Sequence, residues 1–136
     1  MPVKTVIDVD QNLVMHVITE RFKMADIEPT WKAMLADPEF RPGMNVLWDF
    51  RKGTHAIEFS TNDIQHIVSM TAEHLKQRGD SYKLALLATQ DLFFGLSKMF
   101  EAYGDEIPIE IHVFRSMEEA LDWLHAGPSI KQSSQP

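Results

Sequence analysis

The chain has 136 residues, 44% of them hydrophobic and 24% charged, and its 13 basic and 20 acidic side chains give a net charge of −7. A chain of this length is the size of one domain and buries roughly two thirds of its unfolded surface, so it needs no metal or disulfide staple. Cysteine is absent, which excludes disulfides, thiol nucleophiles and thiolate metal sites, and an acidic chain without a basic stripe is a poor partner for nucleic acid.

Residues 3–9 set Val3, Thr5, Ile7 and Val9 against Lys4, Val6 and Asp8, the period of two that marks a strand. The turn cluster Asp10-Gln11-Asn12 joins it to an extended β-branched run at 13–22, which makes a hairpin. Asp26 reads as a helix N-cap, with Glu28 in the first turn and Pro29 where no N–H is needed. Ile27, Trp31, Met34 and Leu35 fall in one arc of that helix, and Asp37-Pro38 with Arg41-Pro42-Gly43 ends it and turns the chain.

A strand at 44–51 carries Met44, Val46, Trp48 and Phe50 on one face. Ser60 then caps a long helix at 61–78, with Asp63 in the capping-box position, a stripe of Ile64, Ile67, Val68, Thr71 and Leu75, and Gly79 closing it. The run 84–88 is apolar on both faces, as in a central strand of a covered parallel sheet. A helix follows at Asp91–Tyr103, ended by Gly104, then a strand at 109–114, and Ser116 with Glu119 caps a last helix, Met117–His125. The polar tail 127–136, rich in Pro, Ser and Gln, is expected to be disordered. The order ββαβαβαβα predicts a single α/β domain over 1–126, with a five-stranded mixed sheet and four helices on its faces. The longest apolar run, 84–88, is far short of the ~18 residues of a membrane span, and the N-terminal Met-Pro-Val-Lys-Thr-Val-Ile-Asp lacks a signal-peptide core. These features predict a cytoplasmic protein with no integral membrane segment.

Met44-Asn-Val-Leu-Trp-Asp-Phe-Arg51, the helix starting at Ser60, the run 84–88, Phe94-Gly-Leu-Ser-Lys-Met-Phe-Glu-Ala102 and Val113-Phe-Arg-Ser-Met-Glu-Glu-Ala-Leu-Asp-Trp-Leu124 together resemble the SpoIIAA-like family. These are small bacterial proteins, mostly uncharacterised, related to STAS domains and more distantly to CRAL-TRIO lipid-binding domains. The resemblance runs from about Val3 to Leu124 and implies a STAS-like sheet with a binding role, for an apolar molecule or a partner protein. In STAS anti-sigma-factor antagonists a phosphorylatable Ser lies in an Asp-Ser-Ser-Gly run where the helix after the third strand begins. Here that place reads Phe59-Ser60-Thr61-Asn62-Asp63. Ser60 and Thr61 keep the hydroxyl, while the preceding Asp and the closing Gly are missing, so the primary expectation for Ser60 is a helix cap.

The helix Asp91–Tyr103 is the most unusual segment. At about 100° per residue, Met99, Leu92, Tyr103, Leu96, Phe100 and Phe93 span about 120° of its surface, and Phe94 lies outside even the wider arc that includes Gly95 and Ala102. A helix on a sheet needs only a ~100° stripe. Phe93, Phe94, Leu96, Met99, Phe100 and Tyr103 are therefore candidates for a homodimer surface or the wall of an apolar ligand site, against the plain alternative of a deeply buried helix. Trp123 likewise points away from the stripe of Met117, Ala120, Leu121 and Leu124.

Metal binding finds no support in the six histidines. His66 has Ser69 and Met70 at the pairing positions, and His74 lies ~12 Å along the helix and ~80° round it. His16 and His112 sit in strands with no carboxylate forced close. His55, with Glu58 near, is the one histidine placed for general-base work at a loop rim. Asp8, Asp10, Asp49 and Glu58 are carboxylates that strand ends could bring together, and Asp49 lies where parallel sheets bind ligands. No phosphate-binding glycine run and no cofactor signature is present. The leading expectation is a non-catalytic binding or regulatory module acting through protein–protein contacts, as a homodimer. The alternatives are a carrier or sensor of a small apolar molecule, and an enzyme using His55 with a strand-end carboxylate.

Overall fold

The structure is a computed structural model that describes residues 3–20, 23–52, 60–79 and 81–126, apart from the side chains of Leu92, Phe93, Leu96, Ser97 and Glu106. His55, Glu58 and the tail 127–136 lie outside the described residues. Five strands form one sheet in the order β1-β2-β3-β4-β5: β1 (Val3–Asp8), β2 (Leu13–Ile18), β3 (Asn45–Asp49), β4 (Lys83–Leu87) and β5 (Glu110–Phe114). The hairpin β1–β2 is antiparallel, turning at Asn12 with φ 56°, and every later pairing is parallel. The α/β mixed sheet expected from the alternation is present.

Because each parallel strand is added on the same side of the last, right-handed crossovers place their helices on one face. Helices α1 (Ile27–Ala36), α2 (Thr61–Glu73), α3 (Leu75–Arg78) and α4 (Asp91–Tyr103) are those crossovers. Ile27, Trp31 and Met34 of α1 share a core with Ile67 and Met70 of α2 and with Val14, Ile18, Val46, Trp48, Leu84, Leu86 and Ile111 of the sheet. Among the described residues the opposite face has only α5 (Met117–His125), where Ala120 and Leu124 pack on Leu13, Leu47, Ala85 and Leu87. Alternation along the strands sorts the residues: Val46 and Trp48 go to one core and Leu47 to the other. β4 is buried at every position, Leu84–Leu87 as their unbroken apolar run required and Lys83 with them.

A lysine anchors α5. Lys83 Nζ donates to the carbonyls of Trp123 at 2.8 Å and Ala126 at 3.3 Å, while Asn45 Nδ2 donates to Leu124 O at 3.3 Å. Carbonyls freed at a helix C-terminus favour a cation there.

Three local expectations are corrected. The helix expected over 61–78 is two helices broken at His74, whose ring Nδ1 donates to Met70 O at 2.7 Å while its backbone N–H is shared between Met70 and Thr71 carbonyls. A side chain that competes for a helical carbonyl loosens the turn that carries it. Asp26 makes no side-chain cap on α1; its carboxylate turns back to accept from Lys23 N at 2.8 Å, closing a single 3-10 turn at Met24–Asp26. The extended run expected over 13–22 ends as a strand at Ile18.

Candidate functional site

Ser60 begins α2 as a full capping box: its hydroxyl accepts from Asp63 N at 3.1 Å, and Asp63 Oδ2 accepts from Ser60 N at 3.0 Å. This is the structural role expected of it. Ser60 and its neighbour Thr61 are both exposed. One turn into α2, Asp63 and His66 form a rim of a groove of about 510 Å³ between α2 and the start of α1. Met24, Ala25, Ile27, Pro29 and Met70 give it an apolar lining, and Glu28 and Lys32, paired at 3.1 Å, stand along it. That volume is in the usual range of binding clefts, roughly 300–1,000 Å³. Methionines suit such a lining because they are unbranched and adapt to irregular shapes.

α4 matches its expected range, Asp91–Tyr103. Phe94 and Phe100 are partly buried against the main core, and the Arg115 guanidinium lies 4.1 Å from the Phe94 ring centre. Arg115 is held there by Thr89 O and Asp91 Oδ1, both at 3.0 Å. Met99 is half-buried, Tyr103 keeps 39% of its surface exposed, and the side chains of Phe93 and Leu96 lie outside those described. Trp123 is partly buried: it packs edge-on against His112, with ring centres 4.8 Å apart, and against Phe114. His112 Nδ1 is 3.2 Å from Glu101 Oε2, so α4 reaches round the β5 edge.

At the C-terminal end of β3, Asp49 is 4% exposed and is engaged by Arg51 in three contacts. Arg51 Nε and backbone N donate to Oδ1 at 3.0 Å, and Nη2 donates to Oδ2 at 2.9 Å. The hydrogen bond to Asp49 raises the Arg51 pKa further above its ordinary value. Asp49 thus binds its own loop. Asp8 does the same through Gln11, whose backbone N and Nε2 donate to its oxygens at 3.1 and 3.0 Å. Among the described residues no group of three or more His, Asp or Glu could hold a metal ion.

A polar cluster that the sequence left unmarked is buried on the same side of the sheet as α1–α4. Arg78, the last residue of α3, is 1% exposed, with its guanidinium carbon 3.9 Å from the Tyr82 ring centre and 5.2 Å from that of Phe40. Its Nη1 and Nη2, and the Tyr82 hydroxyl, are buried without a hydrogen-bond partner among the described residues. Burial lowers the Arg78 pKa to about 10, which leaves it charged at neutral pH, and pushes Tyr82 up to about 12 against the opposing pull of the Arg78 cation. His16, also 1% exposed, accepts or donates at Nδ1 to Thr5 Oγ1 at 2.8 Å and packs on Trp48 with ring centres 4.3 Å apart. Burial, and then the Arg78 cation, lower its pKa to about 3, so it is neutral. A basic residue in the last turn of a helix reads in sequence as a solvated partner of the helix dipole, which is why Arg78 gave no signal.

Two glycines pin Arg78. Gly79 has φ 101° and Gly43 φ 91°, and they cross so closely that a Cβ on Gly79 would lie 2.3 Å from Gly43 N. Gly43 N donates to Arg78 O at 2.8 Å.

No family model and no curated protein matches the chain. Among solved structures it is similar to an uncharacterized protein of the DUF3478 family with a SpoIIAA-like fold, from Shewanella loihica PV-4. The two share 16% identity with a TM-score of 0.57, over 90% of this chain and 93% of that one. At that identity the likeness is one of fold, and the chain has the SpoIIAA-like fold that its segments resembled.

Proposed function

We propose that the protein is a non-catalytic binding module that docks a segment of a partner protein in the groove between α1 and α2. The observation that carries this reading is the groove itself: an apolar, methionine-containing lining of about 510 Å³ beside a charged rim. The rim carboxylates Glu28 and Asp63, on a chain of net charge −7, favour a partner segment with apolar side chains flanked by basic ones. The exposed hydroxyls of Ser60 and Thr61 lie within one turn of that rim, where a phosphate would add negative charge and alter docking.

A photo-cross-linking residue placed at His66 tests the reading in the cells that make the protein. The expected result is a discrete cross-linked species from position 66, absent from position 122 on α5 and lost when Met24→Asp is added. Equal cross-linking from both faces, or none from position 66, overturns it. The same reading includes self-association through α4, where Tyr103 is an exposed aromatic.

A further inference from the structure

We propose that Arg78 anchors a second, internal binding site, for a ligand with a carboxylate on an apolar body. The two aromatic rings occupy the guanidinium's surroundings at Tyr82 and Phe40, yet Nη1 and Nη2 keep no hydrogen-bond partner. A buried guanidinium without an acceptor is unfavourable, because both its charge and its donors have left water. The neighbouring groups do not compensate it: His16 and Tyr82 are neutral at physiological pH, and no carboxylate pairs with Arg78 among the described residues. The missing component is an anion. Two parallel N–H donors from the terminal nitrogens fit the two oxygens of a carboxylate. The body of the ligand is set by the rings that flank the guanidinium: Phe40 and Tyr82, the second of which belongs to the main apolar core. Phe40, on the connection between α1 and β3, is half-buried. The unpaired Tyr82 hydroxyl is a further donor in the same cluster. This site is independent of the groove between α1 and α2 and stands or falls separately from it.

Thermal unfolding and isothermal titration of the full chain with sodium octanoate test the proposal, with 1-octanol and inorganic phosphate as parallel probes. The expected result is a saturable rise of several degrees in Tm with octanoate, little or none with 1-octanol, and none with phosphate. Arg78→Met should bind octanoate at least tenfold more weakly. If that variant does not fold, Arg78→Lys, which keeps the charge and loses the fork, should still show the weakened binding. The wild-type comparison of octanoate with octanol decides the matter without any variant. Equal effects of octanoate and octanol, no effect of octanoate, stabilisation by phosphate as large as that by octanoate, or undiminished octanoate binding by a folded Arg78 variant each overturns the proposal.

Discussion

Gly79 is where one methyl group decides whether α3 can meet the turn before β3. A side chain there must accept φ 101° and a backbone nitrogen 2.3 Å from its Cβ, so Gly79→Ala should lower stability by about 3 kcal/mol or more in urea unfolding. His16 carries a prediction in pH. Its folded pKa of about 3 lies below the ordinary 6.5, so between those values the unfolded chain holds a proton that the folded one refuses. Its contribution is fully present above pH 6.5 and is lost as pH falls through that window, at roughly 1 kcal/mol per pH unit. Carboxylates add their own slope in acid, so the informative quantity is the difference between wild type and His16→Gln. That difference should change between pH 7.5 and pH 5, and a constant difference would contradict the buried neutral imidazole. Tyr82 is tested by ultraviolet titration: one of the two tyrosines should ionise near pH 12, and the step should vanish in Tyr82→Phe.

At the level of elements, the cap of α2 is open to direct test. Ser60→Ala removes one bond of the reciprocal pair with Asp63 and should cost about 1 kcal/mol in chemical unfolding. A phosphorylation role for the same hydroxyl would appear instead as a cellular phenotype larger than that stability loss explains. The Ser60–Asp63 capping box, the alternating strands and the apolar run of β4 after Lys83 were legible in the sequence because each rests on neighbours in the chain, whereas Ser116 accepts from Glu119 N without the reciprocal bond of the capping box expected there. The break at His74 was not, since it depends on which carbonyl an imidazole finds after the helix has formed. Asp26 was misread for a related reason: a capping residue with two possible turns to close is assigned by spacing alone, and the upstream turn took it. The three parallel crossovers were expected, but their sharing one face followed only from the sequential strand order. The candidate site was legible only in part. Ser60 was placed correctly, whereas the groove joins Met24 to Met70 across 46 positions of sequence, and Arg78 is buried by Phe40 and Tyr82, contacts that no local pattern encodes.

For the whole molecule, the described residues give the sheet two unequal faces: one covered by α1–α4, the other by α5, fastened through Lys83 and Asn45. The groove lies on the helical layer, away from α5. Self-association through α4 is tested by light scattering, where Tyr103→Asp should return a dimer to the mass of one chain while leaving the core packing of Phe94 and Phe100 intact. The binding role itself is tested most directly by native mass spectrometry of the protein isolated gently from its own cells, followed by denaturing analysis of the same sample. The account predicts species heavier than the 15.6 kDa chain that return to that mass on denaturation. A bare chain of 15.6 kDa under both conditions would contradict it.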